Sequence, residues 1–184
     1  MPLRNLPNNL ETIGDYVRWA ASRFSEAEIF FGHGSDNALD EAFHLLTAAL
    51  HLPHDLPGYL MDSRLTDMEK EHVFQLIQRR VTRHIPVPYL VNQAWFCGMP
   101  FFVDERVLIP RSPIAELIQS HFSPWIEYES VKNIMDVCTG SGCIAIACAA
   151  SFPDARCTGT DISGRALQVA IRNVEKHNLE NRVE

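Results

Sequence analysis

The sequence predicts an α/β protein in which an N-terminal helical domain, a β-hairpin linker and the start of a parallel sheet follow one another. Three observations lead to this prediction. Apolar residues recur at helical spacing in residues 1–84, a proline- and aromatic-rich stretch follows at 85–111, and strand-like and helix-like patterns alternate in 112–184. A chain of 184 residues has room for one domain or two small ones.

Two amphipathic helices are predicted in the first part of the helical domain. The first has one continuous apolar face, and Asn8 or Asn9 is available as its cap. The second is expected to open at Ser35 and Asp36, since short polar side chains favour helix starts. The prolines of residues 52–58 end it.

A third helix is predicted to begin after Thr66, because Thr66 and Glu69 form a capping-box pattern ahead of an apolar run. It ends before the prolines at 86 and 88, which disfavour helix at the preceding residues. We assign the apolar faces of these helices to the core of the helical domain 1–84. A groove that docks a partner is the alternative.

A β-hairpin is predicted in the linker 85–111. Two aromatic runs, QAWFC and FFVDE, lie on either side of the Gly-Met-Pro sequence that begins at Gly98. The sequence Pro-Val-Pro-Tyr at 86–89 is interpreted as part of this linker. Ser112 followed by Pro113 is typical of a helix start, so a further helix is expected there.

Residues 112–184 predict a parallel sheet with right-handed crossovers, because strand and helix patterns alternate. Ser163 is expected to cap the last helix, and the final residues NRVE are expected to begin a third strand. The predicted elements are the strands VKNIMDVC and CTGTD and the helices 142–151 and 164–177.

Composition and charge argue against several classes of protein. The formal net charge is −7 and no basic run occurs, so no direct nucleic-acid signal is present. The N-terminus lacks the basic and apolar regions of a signal peptide. The longest apolar run, 143–150, is too short to cross a bilayer. We therefore expect a cytoplasmic protein that does not enter a membrane; its oligomeric state has no signature in the sequence.

The cysteines and histidines do not indicate a metal site. The five cysteines are odd in number and no pair is spaced Cys-x-x-Cys, so reduced packing thiols are expected rather than a disulfide or metal framework. The eight histidines are scattered, and His51 and His54 are interpreted as loop residues rather than ligands.

A glycine-rich turn follows the first predicted strand of the sheet. Gly140, Gly142 and Ala145 fit the pattern G-x-G-x-x-G/A, in which glycines let the backbone approach a ligand and the next helix presents free N–H groups. Asp161 ends the second strand, where a carboxylate can accept the hydroxyl groups of a ribose. A nucleotide-type ligand is therefore expected.

Asp136 favours adenosylmethionine among such ligands. It precedes the glycines at the carboxyl end of its strand, where an acid suits an ammonium or sulfonium group and would repel a pyrophosphate. No G-K-[ST] follows the glycines, which excludes a P-loop. A nicotinamide or flavin dinucleotide and a purely structural turn are the alternatives.

The stretch DVCTGSGCIAIA resembles the first motif of the class I adenosylmethionine-dependent methyltransferases, and most closely that of the protein-glutamine methyltransferases. The segment PVPYLVNQAWFCGMPFFVDERVLIPRSPIAELI is similar to the one that joins the helical and catalytic domains in that family. VLIPRSPIAEL resembles the branch that methylates a glutamine of the third large-subunit ribosomal protein, because the release-factor branch has Thr-Glu soon after its Pro-Arg-Pro. The resemblance implies that 112–184 are the start of a Rossmann-like methyltransferase domain, here truncated.

The resemblance also assigns residues to S-adenosylmethionine. The turn would line its methionine part, the acid and isoleucine after the second strand would lie at the ribose and adenine, and the acid of the first strand would orient its amino group. The assigned residues are Asp136, Thr139, Gly140, Ser141, Gly142, Asp161 and Ile162.

Cys138 and Arg111 each have a structural interpretation and a functional one. Cys138 stands where many methyltransferases have glycine and is interpreted as a small packing residue rather than a nucleophile. Arg111 lies in the linker motif and is a candidate for the catalytic cleft, with a structural salt bridge as the alternative.

In this family an Asn-Pro-Pro-Tyr motif after the fourth strand grips the glutamine amide, and this sequence does not contain it. No catalytic residue is therefore expected in the chain, which we expect to be the N-terminal part of a longer enzyme and inactive alone. The helical domain would recognise the protein substrate, by analogy with the family. A non-catalytic protein-binding module and an NAD-type oxidoreductase are the alternatives.

Overall fold

The computed structural model of the chain describes residues 9–32 and 34–184, and Asn8 lies outside them. The described residues divide into two compact units, one that extends to Val91 and one at Asn92–Glu184, each with its own hydrophobic core. Within the described ranges, no helix combines the length and the apolar character that a membrane crossing requires.

The first unit is built from amphipathic helices that pack on one core. Their apolar faces bury large side chains, among them Tyr16, Phe24, Leu45 and Ile77, which are fully enclosed. The helices described in this unit are α1 (Ile13–Glu26), α2 (Ala38–Ala49), α3 (Asp67–Arg83) and α4 (Val87–Val91), with a 3₁₀ turn at Gly58–Asp62.

The cap of α1 differs from the prediction. Thr12, rather than Asn8 or Asn9, is its N-cap: the Thr12 hydroxyl accepts the N–H of Asp15 at 3.1 Å, and the Asp15 carboxylate accepts the N–H of Thr12 at 3.0 Å. Asp15 also accepts the N–H of Glu11 at 3.0 Å, so this reciprocal capping box satisfies three N–H groups. It also lowers the pKa of Asp15, first through the N–H groups of Glu11 and Thr12.

The start of α2 also lies beyond the predicted residues. Asn37, rather than Ser35 or Asp36, is its N-cap, and the Asn37 side-chain oxygen accepts the N–H groups of Leu39 and Asp40 at 3.0 and 2.9 Å. The side chain of Ser35 is instead used as a donor to a buried acid. The predicted capping box of α3, formed by Thr66 and Glu69, is present.

A buried ion pair ties the helices of the first unit together. Arg80 of α3 and Glu41 of α2 are each 2% exposed, and the Arg80 Nε lies 2.5 Å from a Glu41 oxygen. Arg80 also donates to the carbonyl oxygens of Phe30 and His84, and the hydroxyl of Ser35 donates to Glu41. The pair therefore holds the segment before α2 as well as the two helices.

Most of the residues 86–89, predicted to be linker, lie in a helix. Pro86 precedes α4, and Val87 and Leu90 of that helix are buried in the core of the first unit. Pro86 and Pro88 are compatible with this helix because they lie at its first turn, where proline N–H groups would have no partner.

The second unit begins with the predicted hairpin. β1 (Ala94–Phe96) pairs with β2 (Met99–Phe101) in an antiparallel register that joins Phe96 to Met99. The turn is Cys97-Gly98, with φ values of 50° and 74°, as expected for a two-residue hairpin turn. The predicted turn sequence is therefore wrong in one respect, since Met99 and Pro100 belong to β2.

Strands and helices alternate in the rest of the second unit, as predicted. The last helix is capped by Ser163, whose hydroxyl accepts the N–H of Ala166 at 3.3 Å. Ser112 accepts the N–H of Ile114 at the start of the first helix of the unit, although Pro113 is the residue next to that helix. The elements are α5 (Ile114–Gln119), β3 (Asn133–Val137), α6 (Cys143–Ser151), β4 (Arg156–Thr160) and α7 (Gly164–Lys176).

β4 lies between two parallel neighbours. β3 pairs with it along one edge, with Asp136 opposite Gly159. On the other edge, the N–H of Cys157 donates to the carbonyl oxygen of Arg182 at 2.8 Å, and Val183 forms a parallel bridge with Cys157. The final residues therefore pair with β4 through a single bridge, at the edge where the sequence predicts a third strand.

The two faces of this sheet differ in their cover. Ile134, Asp136 and Cys157 lie on the face that carries α6 and the core of the unit. Met135 and Val137 lie on the opposite face and are 68% and 67% exposed. Side chains alternate between faces along a strand, so the exposed positions follow directly from the burial of Asp136.

Candidate cofactor site

The glycine-rich turn joins β3 to α6, and both of its glycines have a left-handed backbone. φ is 56° at Gly140 and 78° at Gly142, a region that glycine enters without steric cost. A Cβ atom on Gly142 would lie 3.2 Å from the Cβ atom of Ala170, so this glycine lets α7 approach the turn. A Cβ atom on Gly140 would meet no atom of the described chain within 4 Å, so that side of the turn is open.

Asp136 holds the turn against the start of α6. One of its oxygens accepts the hydroxyl of Thr139 at 2.6 Å and the N–H of Ala145 at 3.2 Å. Ala145 lies in the first turn of α6, where free N–H groups favour a negative charge. Asp136 therefore has an internal role, and its contact with the amino group of a cofactor stays a prediction.

Asp161 joins the turns that follow β3 and β4. One oxygen accepts the N–H of Gly140 at 2.9 Å, and the other accepts the N–H of Ser163 at 2.9 Å. These two N–H groups, Ser163 first, lower the pKa of the Asp161 carboxyl. An ionised carboxylate thus lies beside the open glycine.

The remaining predicted site residues occupy two different environments. Thr139 and Ser141 are buried, at 6% and 2% exposure, and the N–H of Thr139 donates to the carbonyl oxygen of Thr160 at 2.9 Å. Ile162 follows Asp161 and is fully exposed. The fold therefore gathers the predicted residues at the carboxyl ends of β3 and β4, the edge where ligands bind in parallel α/β sheets.

Asn173 is a residue of this region that sequence reasoning missed. It lies in α7 with no exposed surface, and its amide nitrogen donates to the carbonyl oxygen of Ser141 at 2.9 Å. The same side chain forms hydrogen bonds with both the N–H and the carbonyl of Phe102. A polar residue on the apolar side of a predicted amphipathic helix was the only available signal.

The end of β2 and the residues that follow it contact α7. The ring of His177 contacts the carbonyl oxygen of Pro100 at 3.1 Å, and the guanidinium of Arg172 lies 3.5 Å from the centre of the Phe102 ring. Arg111, the candidate cleft residue, is exposed. Its role stays a prediction.

The cysteines beside the turn differ in exposure and geometry. Cys138 is exposed and has φ of 64°, a left-handed backbone that is unfavourable for a residue with a side chain. Burial raises the pKa of Cys143 to about 11 and that of Cys148 to about 12, so both thiols stay protonated near neutral pH. Protonated, buried thiols are poor nucleophiles and act as small apolar groups.

A cavity of about 390 Å³ lies between α7 and the sheet. It includes Thr139 and Gly142 from the turn, and the remainder of its lining comes mainly from α7 and residues 180–184. Asp161 and Ile162 do not line it. We therefore place the candidate cofactor site on the open Gly140 side of the turn.

Comparison with known proteins agrees with the features of this turn. The family model of the methyltransferase small domain matches residues 115–184. A ribosomal protein uL3 glutamine methyltransferase of Francisella tularensis is 48% identical over 98% of this chain and 58% of its own length. One of Neisseria gonorrhoeae with the same description is 50% identical over 95% of this chain and 59% of its own length.

A solved structure, the N-terminal domain of human METTL16 in complex with SAH, is 15% identical over 92% of this chain and 53% of that chain, with a TM-score of 0.36. A TM-score at this level does not indicate a shared fold. The chain spans somewhat less than three fifths of the length of the curated relatives that it matches, at 58% and 59%. The chain is thus similar, over nearly its whole length, to proteins described as ribosomal protein uL3 glutamine methyltransferases, and residues 115–184 match the methyltransferase small domain, in agreement with the resemblance of the turn and linker motifs.

Proposed function

We propose that this sequence is part of an enzyme that transfers a methyl group from S-adenosylmethionine to the side-chain amide of a glutamine in ribosomal protein uL3. The observation that carries the proposal is the identity of 48–50% to two relatives named for this activity, which extends over nearly the whole chain. The geometry of the turn supports the same activity, since it combines an open glycine with fixed carboxylates.

The residues of the site suit a cationic cofactor. Asp161 accepts the N–H of Gly140, and Asp136 lies under the same turn, so two acids are near the open glycine. A pyrophosphate would be repelled by these carboxylates, whereas an ammonium or sulfonium group would be attracted. This charge pattern favours S-adenosylmethionine over the dinucleotide of an oxidoreductase.

Each residue has a defined task in this proposal. The turn at Gly140 gives backbone contact with the methionine part, Asp161 accepts ribose hydroxyls with its remaining lone pairs, and the exposed Ile162 lies against the adenine. When bound, the cofactor supplies an activated methyl group on a sulfonium. The turn holds that group in a fixed orientation, which lowers the entropic part of the barrier to transfer.

The two units have separate tasks in the same proposal. The second unit is the beginning of a Rossmann-like domain that holds the cofactor, and the helical unit recognises uL3 in the cytoplasm. The sequence lacks the Asn-Pro-Pro-Tyr motif with which the family grips glutamine. We therefore expect the 184-residue chain to bind cofactor without transferring its methyl group.

A hybrid protein tests this function. The 184 residues of this chain replace the matching residues of the Francisella tularensis relative. The hybrid is incubated with uL3 and S-adenosylmethionine that carries a labelled methyl group. We expect label on a glutamine of uL3 with the hybrid and with the intact relative, and none with the 184-residue chain. A folded hybrid that transfers no label while the intact relative does would refute the proposal.

Calorimetry distinguishes the proposal from an NAD-dependent oxidoreductase. The 184-residue chain is titrated with S-adenosylhomocysteine, the product form of the cofactor, and separately with NAD. We expect heat of binding with S-adenosylhomocysteine and none with NAD. The reverse pattern would favour the oxidoreductase, and binding of neither would leave the helical unit as a protein-binding module.

A further inference from the structure

We propose that Asn173 is a positioning residue that couples the glycine-rich turn to the segment 100–106, which comprises the end of β2 and the residues after it. Cofactor binding and the docking of this segment on α7 then depend on each other. The inference rests on the proposed function, because it assumes that the turn holds S-adenosylmethionine. It adds a residue and a coupling that the turn motif alone does not contain.

The hydrogen-bonding capacity of Asn173 is divided between two parts of the chain. Its amide nitrogen donates to the carbonyl oxygens of Ser141 and Phe102, both at 2.9 Å, and its amide oxygen accepts the N–H of Phe102 at 2.7 Å. An Asn side chain offers two N–H donors and one oxygen, so both donors and the acceptor are in use. The side chain is fully buried, where each of these bonds would be costly to leave unmade.

The turn meets α7 at two points, one turn of helix apart. At Ala170 the contact is steric, because a Cβ atom on Gly142 would come within 3.2 Å of the Ala170 Cβ. At Asn173 the contact is a hydrogen bond to Ser141, the residue between the two glycines. Residues three apart on a helix share a face, so the same face of α7 limits how closely the turn can approach and fixes the direction of its carbonyl.

The Phe102 side of the contact has other supports that do not reach the turn. The Arg172 guanidinium lies over the Phe102 ring, His177 contacts the carbonyl oxygen of Pro100, and Arg106 donates to Gln168 at 3.2 Å. In the described part of the chain, Asn173 contacts both this segment and the glycine-rich turn. Loss of Asn173 therefore frees the Ser141 carbonyl of the turn, while the contacts of Arg172, His177 and Arg106 remain.

A shift of Ser141 would change the open side of the turn. Ser141 follows Gly140, whose N–H is held by Asp161 at 2.9 Å. The Ser141 carbonyl lies two peptide units after the Gly140 N–H, so its release from α7 loosens the short segment that ends in the hydrogen bond to Asp161. If the cofactor binds only the ordered turn, part of its binding free energy must then order the turn. By linkage, cofactor binding must also stabilise the contact between Asn173 and Phe102.

Two substitutions of Asn173 and one matched control test the coupling. Asn173→Asp keeps the shape and an acceptor for the Phe102 N–H but removes both donors, and Asn173→Ala removes the whole amide. His177→Ala is the control, since it removes the contact of the α7 C-cap with the Pro100 carbonyl, four residues beyond Asn173 and away from the turn. S-adenosylhomocysteine is the probe, titrated by calorimetry into the 184-residue chain and each variant.

We expect the two Asn173 variants to bind the probe about tenfold more weakly, the loss that follows from one unmade buried hydrogen bond. We expect His177→Ala to lower the melting temperature but to leave the affinity within about twofold. In the unsubstituted chain, the probe should slow hydrogen exchange at the Phe102 amide, and in folded Asn173→Ala it should not.

The outcomes separate this inference from the proposed function. If the unsubstituted chain does not bind the probe, the proposed function fails first and the coupling with it. If that chain binds, and a folded Asn173 variant binds equally well, the coupling is refuted while the function stands. Equal losses of affinity in Asn173→Ala and His177→Ala would show a general destabilisation and would also overturn the inference.

Discussion

The carboxylate of Asp161 accepts the N–H of Gly140 at 2.9 Å, across 21 residues of sequence. This bond joins the turn after β3 to the turn after β4, and the second Asp161 oxygen continues it to Ser163 at the start of α7. The residue that we assign to the ribose is thus also the residue that aligns the open glycine. Substitution of Asp161 is expected to affect both the binding of the ribose and the alignment of Gly140.

Asp161→Asn should weaken the binding of S-adenosylhomocysteine by about tenfold or more. Asp161 uses one oxygen for each of its two N–H partners, and the amide would present an NH2 donor to one of them. Calorimetry with the 184-residue chain measures this change. Asp154→Asn is the control, since Asp154 is an exposed acid paired with Lys132. Equal affinities of Asp161→Asn and the unsubstituted chain would argue against the assigned site.

The same carboxylate predicts a dependence of stability on pH. The pKa of Asp161 is lowered in the folded state by the N–H groups of Ser163 and Gly140. Its contribution is therefore present above the ordinary Asp pKa of about 3.9 and is lost as the pH falls through the folded value. The difference in melting temperature between the unsubstituted chain and Asp161→Asn should accordingly shrink as the pH is lowered below about 4, and a difference that grows there would contradict the assignment.

Cys138→Gly should stabilise the second unit by about 0.5–1 kcal/mol, because Cys138 has φ of 64° and glycine adopts this backbone without steric cost. Urea denaturation measures the change in the free energy of unfolding. Cys138→Ala is the matched control, since alanine keeps the unfavourable contact of its Cβ atom and should bring no gain. A gain as large in Cys138→Ala would indicate that the thiol, and not the backbone, is the source of strain.

Glu41→Ala should destabilise the first unit by about 3–5 kcal/mol, because it leaves the buried guanidinium of Arg80 without its partner. The exposed pair of Lys132 and Asp154 offers a comparison, and Asp154→Ala should cost less than about 1 kcal/mol. The double substitution Glu41→Met with Arg80→Met should lose much less than Glu41→Ala. A small loss in Glu41→Ala would mean that water reaches Arg80.

His44 predicts a loss of stability in mild acid. Burial, and next the charge of His54, lower the pKa of His44 to about 4, and its Nε2 is buried without a hydrogen-bond partner in the described chain. An unfolded His titrates near 6.5, so the unfolded state binds the proton first, and stability should fall as the pH decreases from about 6.5 towards 4. His44→Phe should flatten this part of the profile of melting temperature against pH, and a profile that it leaves unchanged would point to another group.

Local patterns of the sequence were enough to predict the features that depend on a few neighbouring residues. The capping box of Thr66 and Glu69, the hairpin around Gly98 and the cap at Ser163 each follow from short-range rules of backbone geometry. The error at the start of α1 is also local. Thr12 and Asp15 satisfy more N–H groups together than Asn9 could alone, and a list of good capping residues does not show such cooperation.

The features that sequence did not predict depend on residues that are far apart in the chain. Asn173 and Phe102 are 71 residues apart, and Arg80 and Glu41 are 39 apart. Helical periodicity marks Asn173 and Arg80 as polar positions on α7 and α3, but their partners are brought to them only by tertiary packing. Chain separation therefore explains why the glycine motif was visible and its support was not.

The internal hydrogen bonds of Asp136 have a consequence for experiments that substitute every position of the chain. Since its oxygen accepts from Thr139 and Ala145, most replacements of Asp136 should reduce the amount of folded protein in a cell, even in the absence of cofactor. A mutational scan scored by growth would combine this loss of abundance with any loss of binding. Measuring abundance and affinity for each variant separates the contribution of Asp136 to the fold from its contribution to the ligand.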